Sequence, residues 1–438
     1  MSVEQSFKIS IPDDALALLS RKLEDTRLPD EVNAAEWAYG APLADIRRLV
    51  GRWKNGFDWR THERELNALP MFTRTITVDG FGELSVHYVH QRSSAKGAIP
   101  LLFVHGWPGS FLEVTKVLPL LTAVSADHPS FHVVAPSLPG YAWSEGVLEK
   151  GFHAKHYAEV SCIFGPVIVA LVRLWLYRQT KLFNKLMISL GYTEYVTQAG
   201  DLGYVLTLTT ASLYGPKHVK ASHTNMPIGE PPKLFGNPIV LLKCFIMSFT
   251  SREREAAAAA QSHLRNGMGY FAEQSTKPQT LGFSLADSPV GLLAWIYEKL
   301  VTLTDAYPWT DDEVLTWVSI YWFSRAGPAA SIGIYYELAH SGELTSFPKT
   351  TVPVGLSFFP KEPIRSPKVC VHMPSSRCSR LTNGSLLRAQ AKVVFESEHE
   401  VGGHFAAYEQ PEALVSDLRK MFGKSGPAVG VVPGCTGY

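Results

Sequence analysis

The chain has 438 residues, with 41 basic and 40 acidic side chains and a net charge of +1, which argues against a nucleic-acid-binding surface or a polybasic membrane patch. Its length allows a large core domain together with an inserted or appended piece. The five cysteines are an odd number without CxxC spacing, so neither a disulfide scaffold nor a zinc site is indicated, and we expect a reducing, cytoplasmic location.

Residues 1–97 are predicted to form a helical N-terminal extension that ends in a β-hairpin. The stretch SIPDDALALLSRKLEDTRL begins with a Ser/Pro/Asp helix start and repeats apolar residues at helical spacing. TRTITVDGFGELSVHYVH then alternates apolar and polar residues on both sides of a turn at Gly80 and Gly82. We expect this hairpin to form the antiparallel edge of a sheet.

Residues 98–227 are predicted to be the first part of an α/β core. IPLLFVHGWPGSFLEVTKVLPLL contains a buried apolar strand, a Gly/Pro turn and an amphipathic helix, and FHVVAPSLPGYAWSE contains the next strand. This alternation predicts a mostly parallel sheet that is covered by helices on both faces. In such sheets the chemistry lies beyond the carboxyl ends of the strands.

The stretch YTEYVTQAGDLGYV places Asp201 at a corner between a predicted strand and a predicted helix. A nucleophile elbow is a strained turn that needs small residues two before and two after the nucleophile, and these are Ala199 and Gly203. A carboxylate at this position suits attack on an electrophilic sp³ carbon, which forms an ester that water must then cleave. Alone, the pattern also fits an ordinary Gly-rich turn with a solvated aspartate.

The motif HGWPG follows the first core strand, where a parallel sheet places its site. The backbone N–H groups of Trp107 and Leu202 could both face a developing oxyanion, because the residue after the nucleophile also opens a helix. His105 could act as a base. We favour instead a histidine that holds the turn by hydrogen bonding to the backbone.

Residues 228–347 are predicted to form a helical lid, and residues 348–438 to return to the core. Three lid stretches favour helix: REREAAAAAQSHLR, SPVGLLAWIYEKLVTLTD and DDEVLTWVSIYWFS. Glu362 follows the strand in TTVPVGLSFFPKEP, where the acidic member of a triad belongs in chain order, although a surface glutamate is the alternative. His404, in a Gly-Gly loop, is the strongest candidate base.

A second histidine, His399, lies on the preceding strand or its exit, between Glu398 and Glu400. We expect these three residues to form a solvated edge.

Five motifs, HGWPGSFLE, PSLPGYAWSE, AGDLG, DSPVGLLAWI and GGHFAAYEQPE, together with the helical front piece, resemble the microsomal-type epoxide hydrolases and particularly their soluble fungal relatives. The resemblance extends over residues 7–424. It implies an α/β-hydrolase core with a helical lid that hydrolyses epoxides to vicinal diols without a metal or an organic cofactor. It also implies that Asp201 opens the oxirane and that Glu362 holds His404.

The same resemblance implies two tyrosines that polarise the epoxide, Tyr270 in GYFAEQ and Tyr335 in SIGIYYEL. Phenols suit this role because each hydroxyl can donate a hydrogen bond to the epoxide oxygen while the C–O bond breaks. Tyr336 is an adjacent competitor for the second position. The expected partners are a small-molecule epoxide and water, with no nucleic acid and no membrane, and the chain could form a homodimer.

Two stretches depart from the family pattern, residues 161–182 and a stretch near 369–390. Removing them restores the expected spacing, so we hypothesise that they are translated introns or misassigned exons. The first could displace Asp201 and the second could misplace Glu362 relative to His404. Either change would matter, because catalytic distances must hold to a fraction of an ångström. A milder departure is Leu202, where relatives often carry Trp, because only its N–H is needed.

Two other functions compete with this interpretation. A haloalkane dehalogenase shares an Asp nucleophile but would want Trp or Asn halide donors, and the paired lid tyrosines argue against it. A catalytically impaired binding protein is the alternative from another class, motivated by the two inserts. Within the first insert, CIFGPVIVALVRLWLY is slightly short for a membrane span of about 20 residues and carries Arg173, so a buried or poorly ordered insertion is favoured.

Overall fold

The computed structural model describes residues 3–158, 182–229, 258, 261–343, 347–363, 388 and 390–438. The described residues form a sheet of nine strands surrounded by helices. In chain order the strands are β1 (Gln5–Ser6), β2 (Met71–Val78), β3 (Gly82–Gln91), β4 (Ile99–Val104), β5 (Phe131–Pro136), β6 (Tyr195–Ala199), β7 (Val219–Thr224), β8 (Pro353–Phe358) and β9 (Lys392–Glu398).

The spatial order of the strands is β1-β2-β3-β5-β4-β6-β7-β8-β9. The pairs β1/β2, β2/β3 and β3/β5 are antiparallel, and every pair from β5 to β9 is parallel. This confirms the predicted mostly parallel sheet. Every residue of β4 is buried, as expected for a central parallel strand with helices on both faces.

The predicted hairpin is also confirmed, because β2 pairs with β3 from Met71↔Val89 to Val78↔Gly82. The expectation that it forms the edge of the sheet is wrong. The short strand β1 pairs with β2 and lies outside it, with Gln5 opposite Thr73. Two residues are too few for alternation of apolar and polar side chains to appear in the sequence, so the edge strand gave no signal.

Three helices precede the hairpin: α1 (Asp13–Glu24), α2 (Leu43–Asn55) and α3 (Trp59–Leu66). Each is amphipathic and buries one face, and α3 is capped by the Asp58 side chain, which accepts from the N–H of Arg60. The outer face of α2 is linked to a later helix by the Arg52 guanidinium, which makes two 2.8 Å hydrogen bonds with Asp312.

The α/β core contains four further helices, α4 (Leu118–Thr122), α5 (Ala154–Ala158), α6 (Leu182–Ser189) and α7 (Asp201–Tyr214). Of these, α4 packs on β5 and α7 packs on β4, β6 and β7, whereas α5 and α6 pack on α7 and α6 also contacts β2. The helix α7 is buried along most of its length, including Leu202 and Gly203 in its first turn. It therefore starts inside the protein, directly after the carboxyl end of β6.

A second group of helices, here called the cap, comprises α8 (Gly269–Thr276), α9 (Pro278–Asp287), α10 (Pro289–Thr302), α11 (Asp311–Trp322) and α12 (Gly333–His340). A capping box of Thr310 and Glu313 starts α11. Two α11 side chains reach the loop after β4, because Trp317 and Tyr321 hydrogen bond to the carbonyls of Pro108 and Gly109. The cap thus covers the carboxyl ends of the strands. After β9 the chain ends with α13 (Ala406–Glu409) and α14 (Pro411–Phe422).

Several predicted segments fall outside the described residues. They include the apolar stretch 162–177, the insert near 369–390 except at its end, and most of the predicted helix at 252–265. In the part of the chain that the structure describes, no helix combines the length and apolar character needed to cross a membrane.

Candidate active site

The turn at Asp201 has the geometry of a nucleophile elbow. Asp201 has a φ of +48°, a left-handed conformation that is costly for a residue with a side chain. A Cβ added to Gly203 would lie 2.4 Å from the carbonyl oxygen of Val104, and one added to Gly106 would lie 2.3 Å from the Asp201 side chain. Only glycine therefore fits at these two positions, which lets α7 and the loop after β4 close around the carboxylate.

The Asp201 carboxylate accepts a hydrogen bond from one of the two predicted oxyanion donors. The N–H of Trp107 donates to Asp201 Oδ1 at 2.8 Å. Leu202 is the second residue of α7, so its N–H is one of the first-turn donors that have no acceptor inside the helix. The turn is held from above, since Trp317 Nε1 donates to the Pro108 carbonyl at 2.5 Å.

His105 holds this turn, as the sequence interpretation favoured. The N–H of Leu138 donates to its Nε2 at 3.2 Å, so Nδ1 carries the ring hydrogen and donates to the Gly106 carbonyl at 2.9 Å. Burial lowers the pKa of His105 to about 4, against small opposing effects of Gly106 and Asp201. Both ring nitrogens are engaged with the backbone, so His105 is not available as a base.

His404 lies between two carboxylates. Its Nδ1 is 2.8 Å from Glu362 Oε2, and its Nε2 is 3.4 Å from Asp201 Oδ2. Glu362, which follows β8, is only 3% exposed, so it is not a surface glutamate. Burial by itself would lower the pKa of His404, but the Glu362 charge, hydrogen bonds to both carboxylates and the Asp201 charge outweigh it and raise that pKa well above the ordinary value.

Two cap tyrosines face this group across an aromatic cluster. The Trp107 ring stacks on Tyr270 at 5.2 Å and meets Tyr335 edge to face at 5.8 Å. Burial and the negative charge of Asp201 raise the pKa of both phenols well above 10, which keeps them protonated. The Tyr335 hydroxyl is buried and has no well-aligned hydrogen-bond partner among the residues that the structure describes.

Tyr336, the sequence competitor, points elsewhere. Its ring stacks on His340 at 3.9 Å and it is half-buried, whereas Tyr335 is 2% exposed and packs against Trp107. The geometry thus favours Tyr335 as the partner of Tyr270.

One residue near the site was missed in the sequence. Glu113, in the short helical turn after HGWPG, has a side-chain oxygen 1.6 Å from where a Cβ on Gly109 would lie, so the loop folds closely over its carboxyl group. Burial raises the pKa of Glu113 to about 8; His404 opposes this shift and Asp201 adds to it. The available signal was a glutamate inside an otherwise apolar FLEV turn.

The expected solvated edge at 398–400 needs a correction. Glu398 and Glu400 are exposed, but the His399 ring stacks on Phe359 at 4.4 Å and its Nε2 lies 2.6 Å from Asp417 Oδ2. Asp417 is fully buried. The sequence could not reveal this pair because Asp417 lies on α14, whose packing under the sheet brings it beside β9.

The chain matches known families along most of its length. The profile for the epoxide hydrolase N terminus matches residues 4–114, and the profile for the alpha/beta hydrolase fold matches residues 99–281. A putative epoxide hydrolase of Stigmatella aurantiaca is 36% identical over 425 residues, which cover 95% of this chain and 84% of that protein. Epoxide hydrolase 1 of Sus scrofa is 32% identical, with 95% of this chain and 88% of that protein covered.

The same relationship appears in three dimensions. The structure of Aspergillus niger epoxide hydrolase superposes with a TM-score of 0.73 at 30% identity, covering 95% of each chain. The resemblance inferred from the five motifs is therefore confirmed, as is the α/β-hydrolase fold. The chain belongs to the epoxide hydrolase family.

Proposed function

We propose that this enzyme converts epoxides to vicinal diols through a covalent ester on Asp201, which a water molecule activated by His404 then hydrolyses. The observation that supports this most is the contact of His404 with both Asp201 and Glu362, beneath two protonated phenols. A nucleophile, a base, a carboxylate that orients the base and two hydroxyl donors for the epoxide oxygen are the groups that this reaction needs.

The first step is ring opening. Asp201 Oδ1 is bound by the Trp107 N–H, so Oδ2 is the freer oxygen and attacks a ring carbon. The carbon–oxygen bond of the epoxide breaks, and the departing oxygen takes a proton from Tyr270 or Tyr335, which regains one from the His404 imidazolium. Two donors that act on one oxygen stabilise the charge that develops there.

The second step is ester hydrolysis. His404 Nε2 takes a proton from water, and the resulting hydroxide adds to the carbonyl carbon of the Asp201 ester. The N–H groups of Trp107 and Leu202 meet the oxyanion, and Glu362 stabilises the imidazolium. When the intermediate collapses, the departing alkoxide oxygen takes the proton of the His404 imidazolium, and the diol leaves. The proton of the new carboxylic acid returns to His404, which restores the starting state.

The protonation of His404 follows the charge of Asp201. In the free enzyme the raised pKa keeps the ring as an imidazolium. The negative charge of Asp201 and its hydrogen bond to His404 both raise that pKa, and ester formation removes the charge and weakens the bond. The pKa of His404 therefore falls when the ester forms, and the ring becomes a base at the step that needs one.

Trapping the ester tests this mechanism. With His404→Gln, styrene oxide should alkylate the enzyme once, and mass spectrometry should place the added mass on the peptide that contains Asp201. Asp201→Asn is the matched control and should stay unmodified. An adduct on another residue, or diol production by Asp201→Asn at the wild-type rate, would contradict the proposal.

The haloalkane alternative is tested with the same wild-type protein. We expect turnover of styrene-type oxides and no halide release from 1-chlorobutane. Halide release without epoxide turnover would favour a dehalogenase. A cytoplasmic location and a homodimer stay predictions from the sequence.

A further inference from the structure

The loop that carries His404 is fixed through its backbone by groups from other elements. The N–H of His404 donates to the carbonyl of Leu303, just after α10, at 2.9 Å. The N–H groups of the two flanking residues, at 403 and 405, both donate to Glu409 Oε1, at 3.2 and 3.0 Å. The carbonyl oxygen of His404 accepts from Asn225 Nδ2 at 3.3 Å. Every peptide group around the imidazole is therefore held.

Glu409 also joins this loop to the cap. Its Oε2 accepts from the N–H of Asp305 at 2.8 Å and from that of Gly403 at 3.1 Å. The side chain is only 9% exposed, so its hydrogen bonds are made away from bulk water. A single carboxylate thus accepts hydrogen bonds from three backbone N–H groups. Buried N–H groups are costly to leave unpaired.

Asn225 follows β7 and lies between the His404 loop and the elbow. A Cβ on Gly200, the residue before Asp201, would lie 2.7 Å from Asn225 Nδ2. A carbonyl oxygen can only accept, so the His404 carbonyl fixes the orientation of the Asn225 amide, and Oδ1 then accepts from Gln198 Nε2 at 2.9 Å. The Gln198 Oε1 accepts in turn from His223 Nδ1 at 2.8 Å.

From His223, further polar contacts lead to the start of the loop that carries His404. The Ser357 hydroxyl lies 3.1 Å from His223 Nε2 and 2.5 Å from Asp417 Oδ2, and its one hydrogen can be donated to either of them. His399, the first residue after β9, also contacts this carboxylate. One chain of polar side-chain contacts therefore reaches both ends of the loop from His399 to His404.

We propose that Asn225 and Glu409 are positioning residues that hold the backbone around His404 so that its imidazole reaches the water molecule in ester hydrolysis. This inference rests on the proposed function of His404. In ring opening His404 only returns a proton to a tyrosine, whereas in hydrolysis its imidazole must lie against the attacking water molecule. Loss of either side chain should therefore slow the second step more than the first.

Two variants and one control test this inference with the full chain and styrene oxide. Asn225→Leu keeps the approximate length of the side chain and removes the donor to the His404 carbonyl. In Glu409→Gln one carboxylate oxygen becomes a donor, so at least one backbone N–H loses its acceptor. Thr197→Val is the control. It removes a buried 2.9 Å hydrogen bond from Thr197 on β6 to Ser222 on β7, and Thr197 faces the side of the sheet opposite to its neighbour Gln198, the partner of Asn225.

Both variants should lower kcat by about tenfold or more and lower kcat/KM much less, because KM falls when the ester accumulates. Intact mass spectrometry during turnover should show a larger ester fraction than in wild type, and Thr197→Val should show neither change. The inference is overturned if kcat and kcat/KM fall together without ester accumulation, if neither changes, or if Thr197→Val behaves in the same way. If one variant does not fold, as judged by thermal unfolding, the other decides. A wild-type enzyme that forms no ester would instead refute the proposed mechanism.

Discussion

Glu113 is a carboxyl group whose charge the site disfavours. Its pKa of about 8 means that it is neutral in the lower part of the physiological pH range. Once ionised, it would add a negative charge near Asp201 and His404, which would hold the proton on His404 and weaken it as a base. A neutral Glu113 therefore fits a site in which one carboxylate must attack and one histidine must deprotonate water.

We predict that Glu113→Gln changes the pH dependence of the enzyme and little else. Near pH 6.5 its kcat should lie within about threefold of wild type, since glutamine resembles the neutral acid in shape. Above pH 8 the wild-type kcat should decline and that of the variant should not. Steady-state rates from pH 6 to 10 measure this, and identical profiles would show that Glu113 does not titrate in this range.

The same ionisation should affect stability. The pKa of Glu113 is raised in the folded protein from 4.5 to about 8, so the folded state binds this proton more tightly than the unfolded state. Its contribution to stability is therefore present below pH 4.5 and is lost as the pH rises to about 8. We expect the melting temperature of Glu113→Gln to exceed that of wild type more at pH 9 than at pH 5. A difference that shrinks with rising pH would contradict this sign.

Single and double substitutions of Tyr270 and Tyr335 test whether both phenols donate to the epoxide oxygen. Tyr270→Phe and Tyr335→Phe each remove one hydroxyl but keep the ring that packs on Trp107. Each should slow alkylation by roughly 100-fold, as loss of a general acid does, and the double variant should be slower still. Tyr336→Phe is the matched control and should alkylate at the wild-type rate in single-turnover assays. A strong effect of Tyr336→Phe would reassign the second donor.

At the scale of elements, α11 acts on the loop after β4. Trp317 and Tyr321 donate to the carbonyls of Pro108 and Gly109, so they hold the turn directly after Trp107, whose N–H binds Asp201. The Tyr321 hydroxyl is buried at this contact, in contrast to the wet hydroxyl that is usual for a packed tyrosine. The helix thus contributes to the site without contacting the substrate.

We predict that Tyr321→Phe slows both chemical steps together. The Trp107 N–H binds Asp201 before attack and the oxyanion afterwards, so a looser turn should lower kcat and kcat/KM by a similar factor, on the order of tenfold. Rapid-quench measurements of ester formation and decay separate the steps. This pattern differs from that expected for Asn225→Leu, and selective loss of one step would argue against a shared oxyanion turn.

The elements that carry the site were predictable because each follows a recognisable strand. Asp201, Glu362 and His404 come after β6, β8 and β9, and parallel strands bring their carboxyl ends to one edge. The roles of Asn225 and Glu409 were not predictable, since both hydrogen bond to backbone groups of distant segments and no sequence spacing encodes those contacts. His399 was misassigned for the same reason, because its partner lies on a helix 18 residues away.

At the scale of the whole molecule, the two stretches that depart from the family pattern leave the site assembled. Their interiors lie outside the described residues, yet His404 still contacts Glu362 and Asp201 at 2.8 and 3.4 Å. Displacement of these residues, which the inserts could have caused, is therefore not seen in this structure.

The origin of these stretches stays a separate hypothesis. If they are translated introns or misassigned exons, sequencing of the transcript should yield reads that lack both. Reads that retain both would defeat this idea. In that case we still expect the full chain to hydrolyse epoxides, because its catalytic groups are in contact.

The most direct test of the account is a single turnover in H₂¹⁸O with enzyme in excess over styrene oxide. If Asp201 forms the ester, the diol takes its new oxygen from the carboxylate, and water adds to the carbonyl carbon. We therefore predict ¹⁸O in the peptide that contains Asp201 and none in the first diol formed. Label in the diol, with an unlabelled Asp201 peptide, would mean that water opens the ring directly and would contradict the covalent mechanism.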